Sequence, residues 1–135
     1  MSPSSREVLL TAAALTRPPE RFDGASGGVV EFFGVVRGQE GADAIAGIDY
    51  EAYQEMARHQ FDRLVEETTA RFPVHDLVVH HRVGFVPVAE PSLFLRVSAA
   101  HRGPAFSAAE WFIDEMKQRV PIWKHPVPST AATGR

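Results

Sequence analysis

Two segments of the chain carry apolar side chains at the spacing of an α-helix, and strand-like runs lie before, between and after them. In the segment 54–72 the repeated positions are Ala57, Phe61, Leu64, Val65, Thr68 and Phe72. In the segment 104–120 they are Ala105, Ala109, Phe112, Ile113, Met116 and Val120. Because each helix would have one apolar face, each must be buried against another layer of structure.

The remaining apolar runs are rich in β-branched and aromatic residues, which is typical of strands. Strands are predicted at 6–12, 29–37, 45–53, 74–84 and 92–101. The pattern therefore predicts an α+β fold, in which two amphipathic helices cover one mixed or antiparallel sheet. The length of 135 residues indicates a single domain, 1–135. Its last part, 125–135, is rich in Pro, Ser, Thr and Ala, so we expect a flexible tail.

Composition excludes several classes of function. A net charge of −3 is unlike that of a general nucleic-acid-binding protein, and no apolar run approaches the ~20 residues that span a bilayer. We see no signal peptide and expect a cytoplasmic protein. The chain has no cysteine, which removes disulfides, thiolate catalysis and cysteine metal sites. No Walker loop or G-x-G-x-x-G motif is present.

The histidines and the Gly-rich segment do not indicate a known catalytic centre. His80 and His81 are adjacent in a predicted strand, so their side chains face opposite ways. We therefore expect neither a metal site nor a bound cofactor. The segment "GASGG" (24–28) matches a serine nucleophile elbow, but it lacks the strand before it and the helix after it that the elbow needs.

The two lysines are the first candidate functional residues. Lys117 and Lys124 are the only lysines among fourteen basic residues, and they lie on either side of Pro121. A lysine amine can lose its proton when it is desolvated, whereas arginine stays protonated. Lys117 lies at the edge of the second apolar face, so its amine could reach a partly desolvated cleft. Chance placement of two lysines explains the spacing equally well.

Three further candidates could bind an anion. His101 and Arg102 end a predicted strand immediately before a helix, where backbone N–H groups favour negative charge. A solvated arginine beside a histidine that caps the turn explains these two residues equally well. Arg37 ends the strand 29–37, and taken alone it is more simply interpreted as a surface charge.

Five blocks of sequence occur together in an order that points to a known family. They are "VEFFGVVRG", "DYEAYQEMA", "HHRVG", "SAAHRGPAF" and "IDEMKQRVPIWK". Over about residues 28 to 124 the chain resembles the large, catalytic subunit of molybdopterin synthase. The resemblance implies a fold of the α/β-hammerhead type. It also implies a sulfurtransferase of molybdenum cofactor biosynthesis, which installs the two dithiolene sulfurs of molybdopterin on cyclic pyranopterin monophosphate.

The resemblance also implies partners and residue roles. The sulfur would come from a small ubiquitin-like carrier protein whose C-terminal Gly-Gly ends in a thiocarboxylate. Two large subunits would form a homodimer at the core of a heterotetramer. Lys117 and Lys124 match the family's active-site lysines, and Arg37, His101 and Arg102 match its substrate-binding residues. The chain departs from the family pattern at Pro91 and at 125–126, which bears on contacts with the carrier tail.

A different class of function remains open beside this one. A non-catalytic module that binds an anion, or the carboxylate tail of a partner, would need the same basic cleft. The two functions differ in whether a proton must be transferred, which lysine can do and arginine cannot.

Overall fold

A computed structural model describes residues 5–20 and 22–129 of the chain. In this part of the chain, eight strands and two helices follow one another along the sequence. They are β1 (Arg6–Thr11), β2 (Gly28–Val35), β3 (Gln39–Glu40), β4 (Asp43–Ala52), α1 (Gln54–Arg71), β5 (Val74–Arg82), β6 (Gly84–Pro87), β7 (Pro91–Ala99), α2 (Arg102–Arg119) and β8 (Ile122–Pro128).

The larger sheet has four strands in the order β1-β5-β7-β2. The β1–β5 pair is parallel, and the other two pairs are antiparallel. Val79 of β5 lies opposite Val8 on one side and Leu95 on the other, so apolar side chains align across the sheet. Helix α1 packs on β1, α2 packs on β2 and β7, and the two helices pack on each other. The predicted α+β fold with a mixed sheet is confirmed.

The main core lies between this sheet and the two helices. Phe61 of α1 and Phe112 of α2 are fully buried, and their rings stack with centroids 6.3 Å apart. The predicted apolar faces are confirmed, because every position in them is buried or packs partly buried against the core. Ala108 adds a buried position that the spacing did not identify. Burial of one face per helix is what holds helices of this length in place.

A second sheet was not predicted. Its strands run in the order β3-β4-β6, and β8 also pairs with β4, antiparallel to it. The run 74–84 was interpreted as one strand, but β5 ends at Arg82 and Gly84 adopts a φ of +86°. Glycine reaches this left-handed region without a steric penalty, so the chain turns there and β6 joins the second sheet. A small separate core, which includes Ile48, Tyr50 and Val86, forms on this sheet.

The predicted flexible tail is wrong over its first residues. Residues 125–128 belong to β8, where His125 lies opposite Asp49 and Pro126 lies opposite Ile48 of β4. Pairing with β4 orders a segment whose composition alone resembles a loop. Proline is tolerated because β8 has a strand on only one side in the described structure, so a missing N–H can face outward. Residues 130–135 lie outside the described part.

Candidate functional site

A cavity of about 540 Å³ lies where the end of α2 meets both sheets. Every formally charged residue among the described residues that line it is a cation: Arg37, Lys117 and Lys124. Much of the remaining lining is apolar and includes Leu93, Ile113, Met116, Val120 and Ile122. This volume suits a small molecule, and the charge favours an anionic one.

Helix α2 and strand β8 place the two lysines on this cavity. Helix α2 ends at Arg119, and the N–H of its C-cap residue Val120 donates to the Met116 carbonyl oxygen at 3.0 Å. Proline at 121 cannot continue the helix, so the chain reverses into β8. Lys124 then lies opposite Tyr50 of β4, a register that local helix geometry could not have predicted.

Both lysine side chains are exposed in the isolated chain. Lys124 Nζ lies 4.0 Å from Glu40 Oε2, at the limit of an ion pair between exposed groups. The partly desolvated position expected for Lys117 is therefore not provided by this chain alone. Desolvation would have to come from a molecule that fills or covers the cavity.

Arg37 reaches the same cavity from the end of β2. The N–H of the preceding residue, buried Val36, donates to the Glu90 carbonyl oxygen at 3.0 Å, and the Ala89 N–H donates to the Val36 carbonyl oxygen at 2.8 Å. These two bonds hold the chain in place immediately before Arg37. Its guanidinium makes no ion pair within the described ranges, so it is available to a ligand.

His101 and Arg102 do not join the lysines in a single chain. His101 is the N-cap of α2 and Arg102 is its first residue, whereas Lys117 is near the other end. Lys117 follows Arg102 by fifteen residues, which corresponds to about 22 Å along the helix at about 1.5 Å per residue. Both residues are exposed, and the His101 side chain makes no capping hydrogen bond. The structure therefore gives no support to a capping role for His101.

Two polar ring-bearing residues that line the cavity, Tyr50 and His81, were not predicted as site residues. Tyr50 lies in the strand predicted at 45–53, and His81 was interpreted as one of an adjacent pair on a strand. Their rings meet edge to face with centroids 5.2 Å apart. The adjacent histidines were the available signal, because alternation on a strand must send one of them toward the helix side of the sheet.

His81 is buried and uncharged near neutral pH. Its Nδ1 lies 2.8 Å from the carbonyl oxygen of Arg82, and only 6% of the residue is exposed. Burial lowers the pKa of His81 from its usual 6.5 to about 4, although the bond to the Arg82 carbonyl opposes this shift. His80 faces the opposite side, where its Nε2 lies 2.5 Å from Glu7 Oε2.

Neither a metal centre nor a membrane-spanning helix is found in the described part of the chain. Over residues 5–20 and 22–129, no group of three or more His, Cys, Asp or Glu side chains could hold a metal ion. Neither described helix is long and apolar enough to cross a membrane. The fold and the cavity thus define an α+β protein with a cationic cavity, suited to a small anion, where its two sheets meet.

Comparisons with known proteins identify the family. Residues 6–119 match the family model described as MoaE protein. A Pyrococcus abyssi protein named molybdopterin synthase catalytic subunit is 38% identical in an alignment that covers 84% of this chain and 84% of that protein. The chain belongs to the MoaE protein family.

Solved structures support the same fold. The crystal structure of molybdopterin synthase from Staphylococcus aureus matches with a TM-score of 0.75 and 29% identity, over 80% of this chain and 79% of that one. A Helicobacter pylori structure, a complex of subunits 1 and 2 of molybdopterin-converting factor, matches with a TM-score of 0.68 and 20% identity. That match covers 91% of this chain and 84% of the other, and at this identity it shows the fold alone.

Proposed function

We propose that this chain is the catalytic subunit of a molybdopterin synthase. The proposal rests on the cavity, which brings together three cations from distant parts of the chain. They are Lys117 of α2, Lys124 of β8 and Arg37, which follows β2. The name shared by the curated relatives supports an enzyme of molybdopterin synthesis. The proposed reaction is sulfur transfer from a thiocarboxylated carrier protein to cyclic pyranopterin monophosphate.

The cavity's cations suit both anions of this reaction. A thiocarboxylate and a phosphate each form charge-assisted hydrogen bonds with ammonium and guanidinium groups. Each sulfur transfer also removes an oxygen from the pterin side chain, and that oxygen must receive a proton as it leaves. A lysine ammonium can donate this proton, whereas a guanidinium holds its protons too tightly. We assign proton transfer to Lys117 and Lys124, and anion binding to all three cations.

A partner would complete the environment of the lysines. Because both side chains are exposed in this chain, an inserted tail that excludes water would strengthen their electrostatic interactions with substrate. A Gly-Gly terminus suits a narrow entrance, since glycine has no side chain to meet its walls. The two-subunit composition of the Helicobacter pylori structure is consistent with such a partner.

A second copy of the chain would bring its His101 and Arg102 to the cavity of the first. Since α2 holds them about 22 Å from Lys117, they cannot contact a small molecule bound beside that lysine in the same chain. A homodimer in which α2 of one subunit begins near the cavity of the other would join the two groups. We propose this homodimer as the core of the assembly, with a carrier on each subunit.

The decisive experiment is a reconstitution. Purified chain, thiocarboxylated carrier and cyclic pyranopterin monophosphate are mixed, and the dithiolene product is detected by mass spectrometry. Product that requires all three components supports the proposal. Binding of the carrier and the pterin without any product would favour the non-catalytic binding module instead.

Replacing Arg102 should weaken substrate binding more than it changes the fold. Loss of one charge-assisted contact to phosphate should cost about 1.5–3 kcal/mol, which is roughly a ten- to hundredfold loss of affinity. Calorimetric titration of Arg102→Ala with cyclic pyranopterin monophosphate measures the effect. Arg58→Ala is the control, because Arg58 is an exposed arginine of α1. Equal affinity in Arg102→Ala and in the unaltered chain would remove Arg102 from the phosphate site.

The carrier's last two residues should account for much of its affinity. Carrier with and without the terminal Gly-Gly is titrated into the chain at two salt concentrations. Binding should weaken without the tail, and the tail's contribution should shrink at high salt, since a terminal ion pair with Lys117 or Lys124 is screened. If both carrier forms bind equally, the tail does not enter this cavity.

A further inference from the structure

His81 presents one unused hydrogen-bond acceptor to the cavity. Its ring lies between Tyr50 of the second sheet and Phe61 of α1, at centroid distances of 5.2 and 6.4 Å. The residue is almost completely buried, yet it is part of the cavity lining. Packing against both rings limits the orientations that the imidazole can adopt.

The backbone determines which nitrogen carries the proton. A carbonyl oxygen can only accept, so the 2.8 Å contact with the Arg82 carbonyl requires the proton of the neutral ring on Nδ1. Nε2 is then left with a lone pair and no proton. Within the described residues, Nε2 has no hydrogen-bond partner, and it is not fully buried. Because His81 lines the cavity, Nε2 therefore remains in contact with it.

This acceptor differs from the other polar groups around it. Arg37, Lys117 and Lys124 are donors only. Ser92 donates its hydroxyl to the Gly34 carbonyl oxygen at 3.4 Å, and the Tyr50 hydroxyl can donate as well as accept. An anion without a hydrogen-bond donor satisfies the cations but offers nothing to a bare imidazole nitrogen. A ligand that satisfies the whole cavity therefore carries negative charge and also a hydrogen-bond donor, such as a ring N–H group.

We propose that Nε2 of His81 binds an N–H edge of the substrate's heterocyclic ring and thereby selects a ring-bearing anion over a simple anion. The inference rests on the proposed function, because the pterin of cyclic pyranopterin monophosphate supplies both the phosphate and ring N–H groups. His81 is a substrate-binding residue in this assignment and transfers no proton.

The surroundings of His81 keep the acceptor available. The titratable groups that share its cavity are Tyr50 from β4, Lys117 from α2, Lys124 from β8 and Arg37 beyond β2. The neighbouring α1 contributes the uncharged Phe61, and the described cavity lining includes no carboxylate that would favour an imidazolium. With its pKa lowered to about 4 by burial, the ring stays neutral at the pH of most cells.

Nitrogen NMR of the unaltered protein tests the contact directly. With ¹⁵N-labelled histidine, the Nε2 resonance of His81 should move toward the position of a hydrogen-bonded nitrogen when cyclic pyranopterin monophosphate is added. Inorganic phosphate should leave it in place, and His80 should respond to neither ligand. An unmoved His81 resonance at saturation with the pterin would overturn the inference.

Variants supply the second measurement. His81→Phe keeps an aromatic ring but removes the acceptor, so its affinity for the pterin should fall about three- to tenfold with phosphate affinity unchanged. His80→Phe, on the other face of the same strand, should retain the pterin affinity of the unaltered chain. Equal pterin affinity in His81→Phe would overturn the inference while leaving the proposed function intact. Failure of the unaltered chain to bind the pterin would overturn both.

Discussion

Lys117→Ala is expected to abolish sulfur transfer while the chain remains folded. In the proposed function, this lysine supplies positive charge and a transferable proton to a cavity in which only three described lining residues are formally charged. Its side chain is exposed at the edge of the apolar face of α2, so truncation should change the free energy of unfolding by less than about 1 kcal/mol. Product formation and thermal unfolding of the same preparation test both statements.

Two further variants show whether the reaction needs the charge of Lys117 or its transferable proton. Lys117→Arg keeps the charge without an amine that can readily give up its proton, so it should bind the carrier tail but not form product. Gln118→Ala changes the next residue of α2, which is also exposed, and should behave as the unaltered chain does. Normal turnover by folded Lys117→Ala would remove Lys117 from the chemistry. Normal turnover by Lys117→Arg would show that charge suffices there.

Acidification should destabilise the protein through His81. Burial lowers the pKa of His81 to about 4 in the folded chain, against about 6.5 when it is unfolded. The unfolded state therefore binds the proton first, and stability falls as pH drops below about 6.5 and levels off below about 4. At about 1.4 kcal/mol per pKa unit, this residue alone should remove roughly 3 kcal/mol over that range.

The effect of His81 can be separated from that of the carboxylates. A hydrogen bond from Arg119 is the main cause of the lowered pKa of Glu67. The stability that this pair contributes is therefore lost mainly at a pH more acidic than the range in which His81 acts. Urea unfolding of the unaltered chain and of His81→Phe is compared between pH 6.5 and pH 4.5. The free energy of unfolding should fall much less in His81→Phe. Parallel pH dependences would show that His81 does not carry the effect.

Several features of the protein followed from the sequence by itself. The apolar repeats predicted both helices, because a helix can bury one face only if its apolar residues recur at helical spacing. This requirement does not depend on the position of the sheet. In the strand predicted at 45–53, Ile48 and Tyr50 alternate with Asp49 and Glu51, which places the two apolar residues on one face, and both are buried. The blocks around Arg37, 98–106 and 113–124 identified the family through residue identities and order. The length of the predicted second helix, 104–120, separates His101 from Lys117 within one chain, whereas Lys124 lies beyond that helix.

Only the tertiary structure decided how the site is assembled. Pairing with β4 orders β8 and fixes the position of Lys124. The composition of 125–128 resembles a loop and could not predict this, because strand pairing depends on a partner that is distant in sequence. The turn at Gly84 creates a second sheet and so the boundary at which the cavity forms. Of two adjacent histidines, the register of β5 sends His81 into that cavity and His80 toward Glu7. Local sequence shows that the two must point apart, but only the packing of helices and sheets determines what each one meets.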